Sequence, residues 1–460
     1  MTDAIEASSG EVYRPSSIET RRGVALCLSG GGYRAALFHL GALRRMNELG
    51  ALAKVTAISS VSGGSIVSAF LATRLDPWPT QARDPRFEAF ARDLLQLAST
   101  NIRELPSFRW VERAYRQLIG KQRLKDLPGG GPEFTFCATD MANGVNWVFE
   151  RRDLGRGGKE WAAGSYRAGY ASADELPLAR AVAASSAFPP VLGPVDLPFA
   201  AEDYRYGDED GTREHVRLTD GGVYDNLALE PVWKEAATVL VSDGGATMDT
   251  MPYEPRRPWM KFARYMGLAN GQGTSVRKRW LIASYSRDDG YGYRGTYWGV
   301  GSHPSRFGED FADVYEEKLV DNLISETRTD LDAFSEPEAS VLQNHGYLNC
   351  DAALRKWTPH LVTEEAPLAP PSPEWLEPKA VEAELRRQRV TKRVLPFGRR
   401  PFRPRRHHDD RKFRALGLSA RIFSMESSPR LDQEVRRLGV PSPSAARRPA
   451  LIPVAPKSAR

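Results

Sequence analysis

The sequence predicts an α/β fold with a mainly parallel central sheet flanked by helices, and three observations carry that prediction. Short continuous apolar runs recur, as strands buried on both faces require. Gly- and Ser-rich turns follow the first two runs directly, and a helical stretch follows each turn. This strand–turn–helix order is what parallel pairing demands, because a parallel neighbour is reached only through a crossover.

The elements follow along the chain. Residues 1–22 read as a loose polar leader. Val24-Ala25-Leu26-Cys27-Leu28 is the first strand, broken by Gly30, Gly31 and Gly32. A helix is expected over 34–49, stopped by Gly50 where a left-handed glycine ends a helix. A second strand over 55–59, a Ser/Gly turn and a helix over 66–73 complete the unit. Residues 75–130 are expected to be mostly helical, as a cap over the sheet. Strands are expected over 134–139, 147–150 and 238–242. An Ala-rich helix over 178–188 is halted by Pro189-Pro190.

Composition narrows the class. A chain of 460 residues suits one large domain plus an appendage. Its 64 Lys+Arg and 58 Asp+Glu give a net charge of +6, but the charge is divided unevenly. Residues 1–385 carry 43 basic and 53 acidic side chains, whereas residues 386–460 carry 21 and 5. The body is therefore mildly acidic, and the basic balance gives no reason to expect nucleic-acid binding there. A hydrophobic share of 41% excludes general disorder of the body. No run reaches the roughly 18 apolar residues of a spanning helix, and residues 1–22 hold no apolar signal segment. Cys27, Cys137 and Cys350 form neither a disulfide framework nor a zinc spacing, so reduced buried thiols and a cytoplasmic location are expected. Of 33 prolines, 14 lie in the last 100 residues. Residues 362–378 thus read as a Pro-rich linker and 379–460 as a basic disordered tail. A second reading of 386–460 is attraction to an anionic membrane surface, worth about 1 kcal/mol per Lys/Arg near it. Nucleic acid is the weakest reading, since the tail has no binding fold and few aromatics.

Three motifs carry chemistry. Ser29-Gly30-Gly31-Gly32-Tyr33-Arg34 joins a strand to a helix N-terminus, where freed amides and the helix dipole favour an anion. A dinucleotide reading would need an acidic residue at the end of the next strand, and residues 54–61 hold none. The loop instead suits an oxyanion hole built from Gly30, Gly31, Gly32, Tyr33 and Arg34. Ser59-Ser60-Val61-Ser62-Gly63-Gly64-Ser65 has the form of a nucleophile elbow, with small Ser60 and Gly64 flanking Ser62. Thr219-Asp220-Gly221-Gly222-Val223-Tyr224-Asp225-Asn226 supplies a carboxylate base, Asp220, on a Gly221-Gly222 turn. None of the seven histidines stands in a triad context; His39 and His345 read as structural. Asp243, in Ser242-Asp243-Gly244-Gly245, ranks second to Asp220 because no Asn-rich turn follows it.

In order and spacing, these motifs resemble the patatin-like phospholipase family. Ala183-Ala184-Ser185-Ser186-Ala187-Phe188-Pro189-Pro190 is similar to the family's block between elbow and Asp, and the likeness extends over residues 23–361. Ser60 departs from the usual glycine but keeps the position small. The resemblance implies a three-layer patatin-like fold and a Ser62–Asp220 dyad acting without metal or cofactor. It also implies phospholipase A-type hydrolysis of glycerophospholipid esters. Other readings on the same fold are a lysophospholipase, thioesterase or acyltransferase, and a non-catalytic lipid-binding or regulatory protein. In the catalytic reading Arg34 either braces the loop or draws the lipid phosphate.

Overall fold

β1 (Arg22–Leu28) buries both faces, as its unbroken apolar run requires. Leu26 and Leu28 enter one core, and Ala25 and Cys27 enter the other. The computed structural model describes residues 17–102, 108–189, 192–207, 210–246, 258–311 and 313–393. Most of the expected leader, Pro190 and the tail from residue 394 lie outside them.

β1 leads through the glycine loop into α1 (Gly32–Glu48), then β2 (Ala57–Val61) and α2 (Gly63–Arg74). α3 (Phe87–Ala98) and α4 (Phe108–Leu118) precede four strands: β3 (Glu133–Asp140), β4 (Val145–Asp153), β5 (Lys159–Ser165) and β6 (Gly169–Ser172). α5 (Leu178–Ser185), β7 (Val195–Asp196), β8 (Arg217–Asp220), β9 (Ala236–Asp243) and α6 (Pro258–Tyr285) come next. β10 (Arg294–Gly299), α7 (Glu336–Trp357) and α8 (Pro378–Arg393) complete the order.

The sheet runs β10-β9-β1-β2-β3-β4-β5-β6. The segment β10-β9-β1-β2-β3 is parallel, as expected from the strand–turn–helix units. From β3 onward the pairing is antiparallel. Only residues 141–144 separate β3 from β4, and a connection that short can only fold back as a hairpin. α1, α2, α3 and α7 cover one face of the sheet. Leu227, Leu229, Val232 and Leu281, with Tyr293 and Tyr297, close the other over β1 and β9. No helix among the described residues is long and apolar enough to cross a membrane.

α1 and α7 approach backbone to backbone. A methyl on Gly41 would stand 1.9 Å from the Gln343 carbonyl oxygen, and one on Gly346 would stand 2.0 Å from that of Phe38. In an exposed helix Gly→Ala stabilises by about 1 kcal/mol. Here Gly41→Ala is expected to destabilise by about 2–3 kcal/mol, because backbone at the contact cannot yield as a side chain would. Urea unfolding measures the sign directly.

The structure differs from expectation after residue 361. Buried Arg45 donates to Asp351, Glu48 and the Tyr347 hydroxyl, and also to the carbonyls of Ala366 and Pro367. Asn344 exchanges two hydrogen bonds with the backbone of Ser372. The stretch expected to be a free linker is therefore held against α1 and α7. Residues 378–393, the last of the expected linker and the first of the expected tail, form α8, which buries Val381 and Leu385. Prolines suit such a surface strap as well as a linker, since neither needs amide donors along its length.

Candidate active site

Register brings the second and third motifs together. β2 pairs with β3 up to Val61, opposite Cys137. β8 pairs with β3 from Asp220, opposite Ala138. β4 occupies the other edge of β3 through Asp140, so β2 and β8 share one edge and meet end to end. Ser62 and Asp220 are the residues at that junction.

Ser62 has φ 53° and ψ −118°, a left-handed-side conformation that costs a non-glycine residue about 1–3 kcal/mol. It sits at the N-cap of α2, so the positive end of that helix lies at its backbone. The elbow is held from below. Ser62 N–H donates to Ser185 Oγ at 2.9 Å, and Ser185 Oγ donates to the Cys137 carbonyl at 2.6 Å. Ser60 Oγ reaches the Thr135 carbonyl at 3.2 Å, which satisfies the hydroxyl that replaces the usual glycine. A methyl at Gly64 would lie 2.1 Å from the Leu28 carbonyl oxygen, so this position has no room for a side chain.

Asp220 is 4% exposed. Its N–H donates to Ala187 O at 3.0 Å and its carbonyl accepts from Thr139 Oγ1 at 2.8 Å. Asp220 Oδ1 accepts the Gly222 amide at 2.7 Å. Burial pushes the carboxyl up to about 6, against the opposing pull of the Gly222 amide and the Ser62 hydroxyl. Among the described residues Oδ2 has no closed hydrogen bond, and the Ser62 hydroxyl stands near enough to the carboxylate to favour its charged form. Such pairs are commonly loose before substrate binds.

The glycine loop lies alongside. A methyl at Gly30 would be 3.1 Å from Ser62 Cβ, and one at Gly63 would be 2.2 Å from Gly32 O. Gly31 (φ 137°) and Gly32 (φ 56°) use backbone angles that favour glycine. The five expected oxyanion residues divide. The Gly30 amide is committed to Asn226 O at 3.1 Å and the Tyr33 amide to Asp330 O at 3.0 Å. Arg34 is buried, its guanidinium donating to the carbonyls of Gly244, Ser325 and Thr327. It braces the loop and does not face outward to a phosphate. The amides of Gly31 and Gly32, at the N-terminus of α1, have no partner among the described residues.

Two residues with no role assigned from sequence join the parts. Ser185 holds the elbow through its hydroxyl, and its carbonyl accepts the Gly221 amide at 3.1 Å. Asn226 accepts Gly30 N–H, and its side chain fills the space above Gly30 and Gly222. Both stood in recognised motifs, but serine and asparagine are too common in turns for spacing to give them a task. Asp243 is occupied elsewhere, accepting Tyr297 OH at 2.6 Å and the Gly245 amide at 2.9 Å. His345 is buried on the Val300 carbonyl.

A cavity of about 650 Å³ lies behind the Asp220 turn, lined by Asp225, Trp233, Arg277 and Trp280 among others, but Ser62 and Asp220 do not line it. Among the described residues His303, Glu317 and Asp321 bring metal-type ligand atoms within 4.8 Å of one another. Both carboxylates already have partners, Glu317 in an ion pair with Arg306 and Asp321 in a hydrogen bond with His303 Nε2, so ordinary side-chain pairing accounts for the group.

Fold and site define the class first: an α/β domain that brings Ser62, at the end of parallel strand β2, beside Asp220, at the end of antiparallel strand β8. Residues 26–233 match the family model for patatin-like phospholipase, so the chain carries a patatin-like phospholipase domain over that segment. A search of curated proteins gives no match. Among solved structures the chain is similar to human GIVD cytosolic phospholipase A2, at 12% identity and a TM-score of 0.44. That match covers 80% of this chain and 60% of the other, so this chain spans about three fifths of that protein's length. It is also similar to VipD from Legionella pneumophila, at 12% identity and a TM-score of 0.30, over 82% and 76% of the two chains. ExoU–SpcU from Pseudomonas aeruginosa aligns at 16% identity and a TM-score of 0.22, over 60% and 56%. Likenesses at this level carry nothing about chemistry.

Proposed function

We propose that the protein is a lipid acyl hydrolase of phospholipase A type, with Ser62 as nucleophile and Asp220 as base. The observation that carries this reading is a buried carboxylate, pushed up to about 6, beside a serine held at positive φ. A carboxylate of that strength is mostly ionised at neutral pH yet basic enough to take a proton in the transition state. Ser62 Oγ attacks the ester carbonyl of a glycerophospholipid as Asp220 accepts its proton. The amides of Gly31 and Gly32, with the N-termini of α1 and α2 behind them, stabilise the oxyanion. Asp220 then gives the proton to the departing alcohol, leaving an acyl-Ser62 ester. Water, with Asp220 again as base, releases the fatty acid.

The test is covalent labelling by a fluorophosphonate together with fatty-acid release from phospholipid. Wild type is expected to label at one residue and to release fatty acid, while Ser62→Ala does neither. Labelling of Ser62→Ala at the wild-type rate would remove Ser62 as nucleophile. A lipid panel run with the same variant identifies which ester is cut.

A further inference from the structure

His39 lies within α1, seven residues past the start of the helix, and is fully buried. Its Nε2 is 3.0 Å from the Ser29 carbonyl, and its Nδ1 is 2.7 Å from Ser242 Oγ. A carbonyl can only accept, so Nε2 carries the proton. Burial holds the imidazole neutral, pushing it down to about 4, so Nδ1 must accept from the Ser242 hydroxyl. The geometry thereby fixes one tautomer.

The groups at either end of this bridge matter. Ser29 opens the glycine loop, and its Oγ accepts Gly244 N–H at 2.8 Å and lies 3.1 Å from Gly30 O. Ser242 is the next-to-last residue of β9 and leads into the second D-G-G turn, whose Gly244 carbonyl also accepts from Arg34 at 3.1 Å. A methyl on Gly31 would be 2.7 Å from that same carbonyl oxygen. The motif that supplies no base is thus the cradle on which the glycine loop rests.

We propose that His39 is a positioning residue for the oxyanion loop, bridging the Ser29 carbonyl and the Ser242 hydroxyl so that the Gly31 and Gly32 amides stay aimed at one point. The proposal rests on the acyl-hydrolase reading, and it makes the Ser242–Gly245 turn part of the catalytic support. The physical reason is directional: Gly31 and Gly32 have no side chains to fix their peptide planes, so the residues before and beneath them must do it.

Three measurements test it on the full chain, using a soluble acyl ester and a fluorophosphonate. His39→Asn keeps a group near Ser242 but is too short to reach Ser29. It is expected to lower kcat and the labelling rate about 30-fold, with KM within about twofold, since misplacing an oxyanion donor acts on the transition state. His39→Gln carries its amide to the Nε2 position and restores kcat to within about threefold of wild type. In ¹⁵N-histidine NMR of the wild type, His39 is expected as the neutral Nε2–H tautomer, a readout that needs no variant to fold. Folded His39→Asn with wild-type kcat, or an Nδ1–H tautomer, overturns the proposal. Labelling of Ser62→Ala at the wild-type rate overturns instead the reading on which it rests.

Discussion

Asp220→Asn is expected to lower kcat/KM for ester hydrolysis about 10³-fold and, at the same time, to make the protein more stable at neutral pH. The loss follows from removing the carboxylate that stands beside Ser62, since a general base contributes about 10² to 10⁴ in rate. The gain follows from linkage. Folding raises the Asp220 pKa from 3.8 to about 6, so between those values the native state holds more protons than the unfolded chain. Stability from this group therefore falls as pH rises through that window, and above it the buried anion costs about 3 kcal/mol. Asparagine keeps an oxygen for the Gly222 amide and carries no charge. The stability difference between Asp220→Asn and wild type should be largest near pH 7–8 and vanish near pH 4. In wild type, kcat/KM should fall below pH about 6 with the slope of one proton. A variant that loses activity and stability together would mean that Asp220 is structural only.

Gly63→Ala is expected to lower kcat and fluorophosphonate labelling about 10²-fold. Gly63 follows Ser62 at the first position of α2, and its φ is not in the left-handed region, so alanine meets no backbone strain there. The obstacle is a neighbour. The added methyl would stand 2.2 Å from Gly32 O and 3.0 Å from Gly32 N, both of them backbone of the oxyanion loop. Either the loop moves away from Ser62 or the elbow moves away from the loop, and each separates nucleophile from oxyanion donors. Removing one such donor costs about 10²- to 10³-fold in other hydrolases. The substitution should act on kcat more than on KM, because the ground-state ester is not held by these amides. Labelling at the wild-type rate would show that the glycine loop is not where charge develops.

The strand–turn–helix order, both glycine-rich turns and the three motifs were legible because each is local. An apolar run of five residues, a triple glycine before a helix and a D-G-G turn announce themselves within a few positions. The strap over 362–376 and α8 were not legible, because the strap is held by the Arg45 guanidinium on a helix more than 300 residues earlier and α8 by burial of Val381 and Leu385. Proline content marks a segment without internal pairing, but it does not mark whether a partner waits elsewhere. The roles of Ser185, Asn226 and His39 were likewise hidden, since each acts by touching two distant segments at once.

Sequence by itself determined the chemistry available: a serine on an elbow, a carboxylate on a glycine turn and a loop of freed amides, each specified by residues within one turn of the chain. Tertiary structure alone decided how those parts serve one another. It set Ser62 beside Asp220 by letting β2 and β8 share an edge of β3, and it committed the Gly30 and Tyr33 amides while leaving those of Gly31 and Gly32. It also turned Arg34 inward. The reason is that basicity and hydrogen-bond occupancy depend on desolvation and on partners in space, and neither is encoded in neighbours along the chain.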